Sequence, residues 1–177
     1  MMRHIPNILS SLRLIFLPVF LYFALQGQFL PAGILITIIS LTDLLDGYLA
    51  RRNNWISQVG KVLDPLADKL TQISVIIVFF IHLPQYRWIF WILLGKEAVM
   101  LAGAGLLMYL GVKLPGAAMW GKVATALFYV TAVLVLLFPQ LPSPLVTTLF
   151  IASAVTAVVS VTLYVPQYIR YRRDAGR

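Results

Sequence analysis

Cysteine is absent from this chain of 177 residues, so neither a disulfide nor a thiolate metal site can form. Charge is scarce at 11% of residues, and negative charge is scarcer. The acidic residues number six: Asp43, Asp46, Asp64, Asp68, Glu97 and Asp174. The two histidines, His4 and His82, read as interfacial rather than catalytic. There is no obvious internal repeat and no low-complexity segment. What fills the chain is apolar: 60% of residues are hydrophobic, and the mean hydropathy is +0.89. A soluble globular domain of this length would not have that composition. The net charge of +8 is not a nucleic-acid signature. The basic residues sit at the ends of apolar runs, where anionic lipid and membrane orientation account for them.

Six apolar runs follow one another, each about 20 residues long, the length that crosses a hydrocarbon core of about 30 Å. They cover 8–25, 32–51, 61–83, 88–110, 117–138 and 145–164. Gly27 and Pro31 bracket the first turn, a polar loop covers 52–59, and Pro84 to Arg87 make a short turn. Gly111 to Pro115 break the chain again, and Pro139, Pro142 and Pro144 punctuate the last turn. The first run is long, lacks an A-x-A-type exit and is followed by further apolar segments, so it reads as a retained span and not a signal peptide. The expectation is an all-α integral membrane protein: six transmembrane helices in one domain, residues 1–177.

Lysine and arginine orient it. With six spans, the N-terminus, the second and fourth loops and the C-terminus share one side. That side collects twelve of the fourteen basic residues, the opposite side has Arg87 alone, and Lys96 lies within a span. The positive-inside bias puts both termini in the cytoplasm, at the cell membrane. Tyr86 and Trp88 then fall at the outer interface, and Trp55 and Trp120 at the inner one. Arg170, Arg172, Arg173 and Arg177 form a basic tail suited to anionic lipid.

Four of the six acidic residues lie in the 26 residues from Asp43 to Asp68. An ionised carboxylate in hydrocarbon costs several kcal/mol or more unless paired or solvated. Asp43 and Asp46 are three residues apart, Asp64 and Asp68 four, so each pair shares a helix face. Two consecutive helices joined by a short loop are antiparallel neighbours, and the four carboxylates can converge on one pocket near the cytoplasmic surface. All-oxygen ligands favour hard cations such as Mg²⁺ or Mn²⁺. Such a centre leaves a positive field for phosphate oxygens. Gly47 and Ala50 are small enough to let a bulky ligand approach the backbone, Arg51 is suited to a phosphate, and Gly60 lets the third helix begin in close packing or lets the loop turn. Spacing alone leaves three readings open: metal-dependent phosphoryl-type transfer, a cation or solute transport path, and structural pairing with Arg51, Lys61 and Lys69.

The stretch also fits the pattern D-x2-D-G-x2-A-R-x8-G-x3-D-x3-D at every fixed position: Asp43, Asp46, Gly47, Ala50, Arg51, Gly60, Asp64 and Asp68. It resembles the signature of the CDP-alcohol phosphatidyltransferase family. The resemblance implies a six-helix fold, transfer of a phosphatidyl group from CDP-diacylglycerol to an alcohol with release of CMP, two divalent ions per site, and a homodimer. Asp43, Asp46 and Asp64 would be metal ligands. Asp68 would face the metals and serve as the catalytic base. Gly47 and Ala50 would line the cytidine site, Arg51 would hold the diphosphate, and Gly60 belongs to the same head-group site.

For the acceptor, Ile5-Pro6-Asn7-Ile8-Leu9 followed by Arg13 resembles the N-terminus of bacterial phosphatidylglycerophosphate synthases and related cardiolipin synthases. Lys96-Glu97 matches their basic-acidic pair in the fourth helix. Gly121-Lys122-Val123-Ala124-Thr125 matches their G-K-x-x-T segment. The resemblance makes glycerol-3-phosphate the expected acceptor, with Lys96 and Lys122 as candidate ligands of its phosphate. Many glycerophosphate-using members have arginine where Lys96 stands, and again where Ala104 stands. A polar residue is common where Phe128 stands. These departures keep phosphatidylglycerol, giving cardiolipin, as the alternative acceptor. Adjacent residues on a helix point about 100° apart, so Lys96 and Glu97 are not expected to face one another. Gly103 and Gly105 are candidates for close helix packing, including at a dimer interface.

Overall fold

The computed structural model describes residues 5–53, 60–109 and 119–175; the side chains of 5–10, 43–53, 60–65 and 167–175, with a few others, lie outside that description. Six α-helices follow in order: α1 (Ile5–Leu25), α2 (Phe29–Asn53), α3 (Gly60–His82), α4 (Arg87–Tyr109), α5 (Met119–Leu137) and α6 (Ser143–Ala175). A 3₁₀ turn, Pro84–Tyr86, precedes α4, and there is no strand among the described residues. Each expected apolar run is a helix, and the ends move. The largest change is in α6, which continues past Tyr164 through the basic tail to Ala175. Pro166 lies inside it, and proline there removes one backbone bond without supplying a stop.

The turn after α1 has a clear cause. Gly27 adopts φ +73°, a left-handed conformation that costs a side-chain-bearing residue energy. The Gln28 amide donates to the Phe23 carbonyl at 2.9 Å and the Gly27 amide to the Ala24 carbonyl at 3.1 Å. Those two bonds are a Schellman cap, which satisfies carbonyls at the end of α1. Pro31 falls in the first turn of α2, where its missing N–H has no partner to lose.

The contacts fall into two compact units: residues up to His82 with Ala132–Leu141, and Leu83–Thr131 with Pro142 onward. In the first, α1 packs against both α2 and α3. Leu17, Phe20 and Ala24 of α1, Ala32, Ile36 and Ile39 of α2, and Ala67, Val75, Ile76 and Phe79 of α3 are buried at helical spacing. Arg13 is buried in the same unit at 3% exposure. Gly33 admits a close approach: a Cβ there would lie 2.8 Å from Leu137 Cδ2 and 3.0 Å from the Leu137 backbone nitrogen. His82 meets the Phe29 ring edge-on, 5.1 Å between centroids.

In the second unit α4 packs on α6. Phe150 receives Phe90 edge-on at 5.3 Å and Tyr86 at 5.1 Å. Tyr86, expected at the outer interface, is buried among neighbouring helices, with its hydroxyl 2.8 Å from Thr147 Oγ1. The aromatic partner and the hydroxyl together satisfy both the ring and the phenol of Tyr86. Trp88 and Trp120 are exposed. Thr131 and Ser153, both buried, link α5 to α6 at 3.3 Å. Gly105 has open space where a Cβ would stand, so it serves no close packing among the described residues.

Large apolar side chains cover the outside as well as the core, among them Ile15, Ile34, Trp91 and Val155. A helix that is apolar all round belongs in a membrane or a large core. By length and composition Trp120–Leu137 and Ser143–Tyr164 each suffice to cross a bilayer. Leu66–His82 and Pro84–Gly103 meet that test only jointly, and Ser11–Leu25 and Phe29–Thr42 are shorter apolar helices within the described residues.

Candidate active site

Because α2 is helical through Asn53, Asp43 and Asp46 stand on one continuous helix, followed by Gly47, Ala50 and Arg51. Because α3 is helical from Gly60, that glycine, Asp64 and Asp68 fall at successive four-residue steps along one face. Both helices pack on α1. The side chains of Asp43, Asp46, Gly47, Ala50, Arg51, Gly60 and Asp64 lie outside the described residues. Asp68 is described and is half-buried. Among the described residues no three of His, Cys, Asp and Glu come together. Three of the four motif aspartates are not in that set.

Around Asp68 one face of α3 is buried. Ala67 is fully buried, and Thr71, nearly so, donates its hydroxyl to the Ala67 carbonyl at 2.8 Å. Gln72 is 1% exposed, and its Oε1 has no hydrogen-bond partner. On α2, Ser40 Oγ is also buried without a partner, although Thr37 and Thr42 on the same helix each donate to the carbonyl four residues back at 2.7 Å. Thus an orphaned polar atom lies about one turn from the motif aspartates on each helix. Neither residue was singled out from the sequence. The available signal was a polar side chain three or four positions from an aspartate in an otherwise apolar run.

In the second unit, Lys96 and Glu97 are both buried and ion-paired to each other through Nζ and Oε1. This corrects the expectation that adjacent positions would keep them apart. Their flexible stems close an angle that their Cβ directions open, because two unpaired charges at this burial would cost more than bent rotamers. Lys96 also borders an open groove of about 180 Å³, lined on α4 by Ile92, Gly95 and Val99 and on α6 by Val158, Val161 and Thr162. Lys122 is exposed in the first turn of α5. Phe128 is a core residue at 1% exposure, so the position where a polar residue was the alternative is filled by packing.

The family model for CDP-alcohol phosphatidyltransferases matches residues 3–163. The chain belongs to that family. Its helices and family make it a membrane-associated helical transferase of phospholipid biosynthesis, acting on a CDP-alcohol and an alcohol acceptor; the family is generally divalent-metal dependent. It is 36% identical over 124 residues to the CDP-diacylglycerol–glycerol-3-phosphate 3-phosphatidyltransferase of Aquifex aeolicus, covering 69% of each chain. The protein of that name from Bacillus subtilis is 30% identical over 183 aligned positions, covering 92% of this chain and 91% of its own. The cardiolipin synthase (CMP-forming) of Streptomyces coelicolor is 37% identical over 127 residues, 68% of this chain and 59% of its own.

Proposed function

We propose that this chain transfers the phosphatidyl group of CDP-diacylglycerol to glycerol-3-phosphate, forming phosphatidylglycerophosphate and CMP. The observation that carries this reading is the complete eight-residue motif in a chain that aligns over nearly its full length with a Bacillus relative of that name. An acceptor hydroxyl attacks the phosphatidyl phosphorus. The bond from that phosphorus to the bridging oxygen breaks, the electron pair leaves on CMP, and Asp68 takes the hydroxyl proton. Asp43, Asp46, Asp64 and Asp68 would hold two Mg²⁺ or Mn²⁺ ions, a fit argued from a donor set made wholly of hard oxygens. Divalent cations held by these carboxylates would supply positive charge to offset that on the phosphoryl oxygens and the leaving CMP.

The chain's own residues bind and orient. Gly47 and Ala50 leave room for the cytidine, Arg51 holds the diphosphate, and Gly60 lets α3 start close by. Lys96 and Lys122 are the candidate cations for the acceptor phosphate. The ion pair with Glu97 gives Lys96 a structural duty as well, which leaves exposed Lys122 the more available of the two. The acyl chains stay in the bilayer while the head group enters from the cytoplasmic surface. The architecture we propose is one domain of six spans with both termini in the cytoplasm, paired as a homodimer.

Phosphatidylglycerol is the second acceptor to consider. The Streptomyces relative bears the cardiolipin synthase name, and Ala104 and Phe128 stand where glycerophosphate-using members often carry arginine and a polar residue. Purified protein supplied with CDP-diacylglycerol and either acceptor separates the two. CMP release with glycerol-3-phosphate alone supports the first reading, and release with phosphatidylglycerol alone replaces it with the second. Membership in a transferase family takes precedence over ion transport as the account of the intramembrane carboxylates.

A further inference from the structure

Gln72 stands one helical turn beyond Asp68 on α3, about 6 Å along the axis. The two positions are four apart, so they share a face. Side chains on a helix lean toward its N-terminus, which directs position 72 toward the turn that carries Asp68. Asp68 is half-buried, whereas Gln72 is 1% exposed, and its Oε1 meets no donor in the structure. An orphaned amide in an apolar core is unfavourable, and leucine or methionine would fill the same volume without that cost. Thr71, equally buried, satisfies its hydroxyl on the helix backbone, so an unmet group is not the general condition of this turn. An amide oxygen only accepts, so the missing partner is a donor, and the half-buried position one turn before Gln72 on the same face of α3 is Asp68.

We propose that Gln72 determines acceptor specificity: its Oε1 receives a hydrogen bond from a second hydroxyl of the acceptor, next to the hydroxyl that Asp68 deprotonates. The substrate class this selects is a vicinal diol. The inference rests on the placement of Asp68 under Proposed function. It adds a residue outside the eight-residue motif and assigns it to the part of the acceptor that does not react. A neutral amide suits that task, since a fifth carboxylate would add charge to a site already rich in it.

The test compares glycerol-3-phosphate with 3-hydroxypropyl phosphate, which keeps the reacting hydroxyl and the phosphate but lacks the second hydroxyl. The wild type should favour the diol by about tenfold or more in kcat/KM, since the analogue leaves the amide unmet. Gln72→Leu should lose most of that preference by falling on the diol alone, with the KM for CDP-diacylglycerol unchanged. Its melting temperature should not fall, because an unmet buried polar group has been removed. Gln72→Met, closer in length, serves if the leucine variant does not fold. A folded variant that keeps the wild-type preference overturns the proposal, as does a wild type that does not distinguish the two acceptors. If the wild type turns over phosphatidylglycerol instead, the same comparison is made with its head group and the analogue lacking the central hydroxyl. Failure of the wild type to release CMP with either diol contradicts the function itself; release with the preference intact in Gln72→Leu contradicts the role of Gln72 alone.

Discussion

At the scale of the residue, chemistry and folding separate at Asp68. Asparagine there keeps the shape and removes the proposed base, so Asp68→Asn should lower CMP release by about 10² to 10⁴ while the protein inserts and melts as the wild type does. Steady-state CMP assays beside thermal denaturation in detergent check both halves. The buried Lys96–Glu97 pair behaves differently. Glu97→Gln leaves a buried ammonium without its carboxylate and should destabilise the protein by about 3 kcal/mol or more, whereas Lys96→Met with Glu97→Leu should recover most of that stability. If the double variant also retains the glycerol-3-phosphate KM, Lys96 is structural and the acceptor phosphate belongs to Lys122. The motif stands out in the sequence because carboxylates in an apolar chain are costly, and the side chains of Asp43, Asp46 and Asp64 lie outside the described residues. The pairing of Lys96 with Glu97 is not visible in the sequence, because helical spacing describes Cβ directions and the pair is made at the ends of long stems. The burial of Gln72 and Ser40 was equally hidden, since it depends on which face of α3 and α2 the neighbouring helices cover.

Helices were the easiest elements to anticipate, since apolar runs of this length have few alternatives in hydrocarbon. Their ends were harder. The stop after α1 is set by Gly27 at φ +73°, and the glycine was a visible signal there. Gly27→Ala should cost about 1–2 kcal/mol through the left-handed conformation alone, since a Cβ at that position meets open space. A lower melting temperature with unchanged acceptor KM would locate the effect in the turn. The end of α6 lies beyond the apolar run, because Tyr164 closes that run without closing the helix. The residues that follow carry charge but no glycine, and Pro166 does not terminate the helix. The burial of Tyr86 is not visible in the sequence, because it follows from Phe150 and Thr147, 64 and 61 positions away.

For the molecule as a whole, the proposed topology assigns opposite sides of the membrane to the turn before α4 and to the end of α6. The absence of cysteine makes this directly measurable. In intact cells a membrane-impermeant maleimide should label Gln85→Cys and spare Arg173→Cys until the membrane is opened; the reverse pattern would invert the orientation. The central claim is phosphatidyl transfer at a carboxylate-held metal site. Its most direct test is CMP formation from CDP-diacylglycerol and glycerol-3-phosphate by purified protein, measured after chelation and after Mg²⁺ or Mn²⁺ is restored, with Asp64→Asn alongside. The account predicts release that stops with chelator, returns with metal and is lost in Asp64→Asn, with phosphatidylglycerophosphate formed in equal amount to CMP. Release that persists under chelation and survives in folded Asp64→Asn would contradict it.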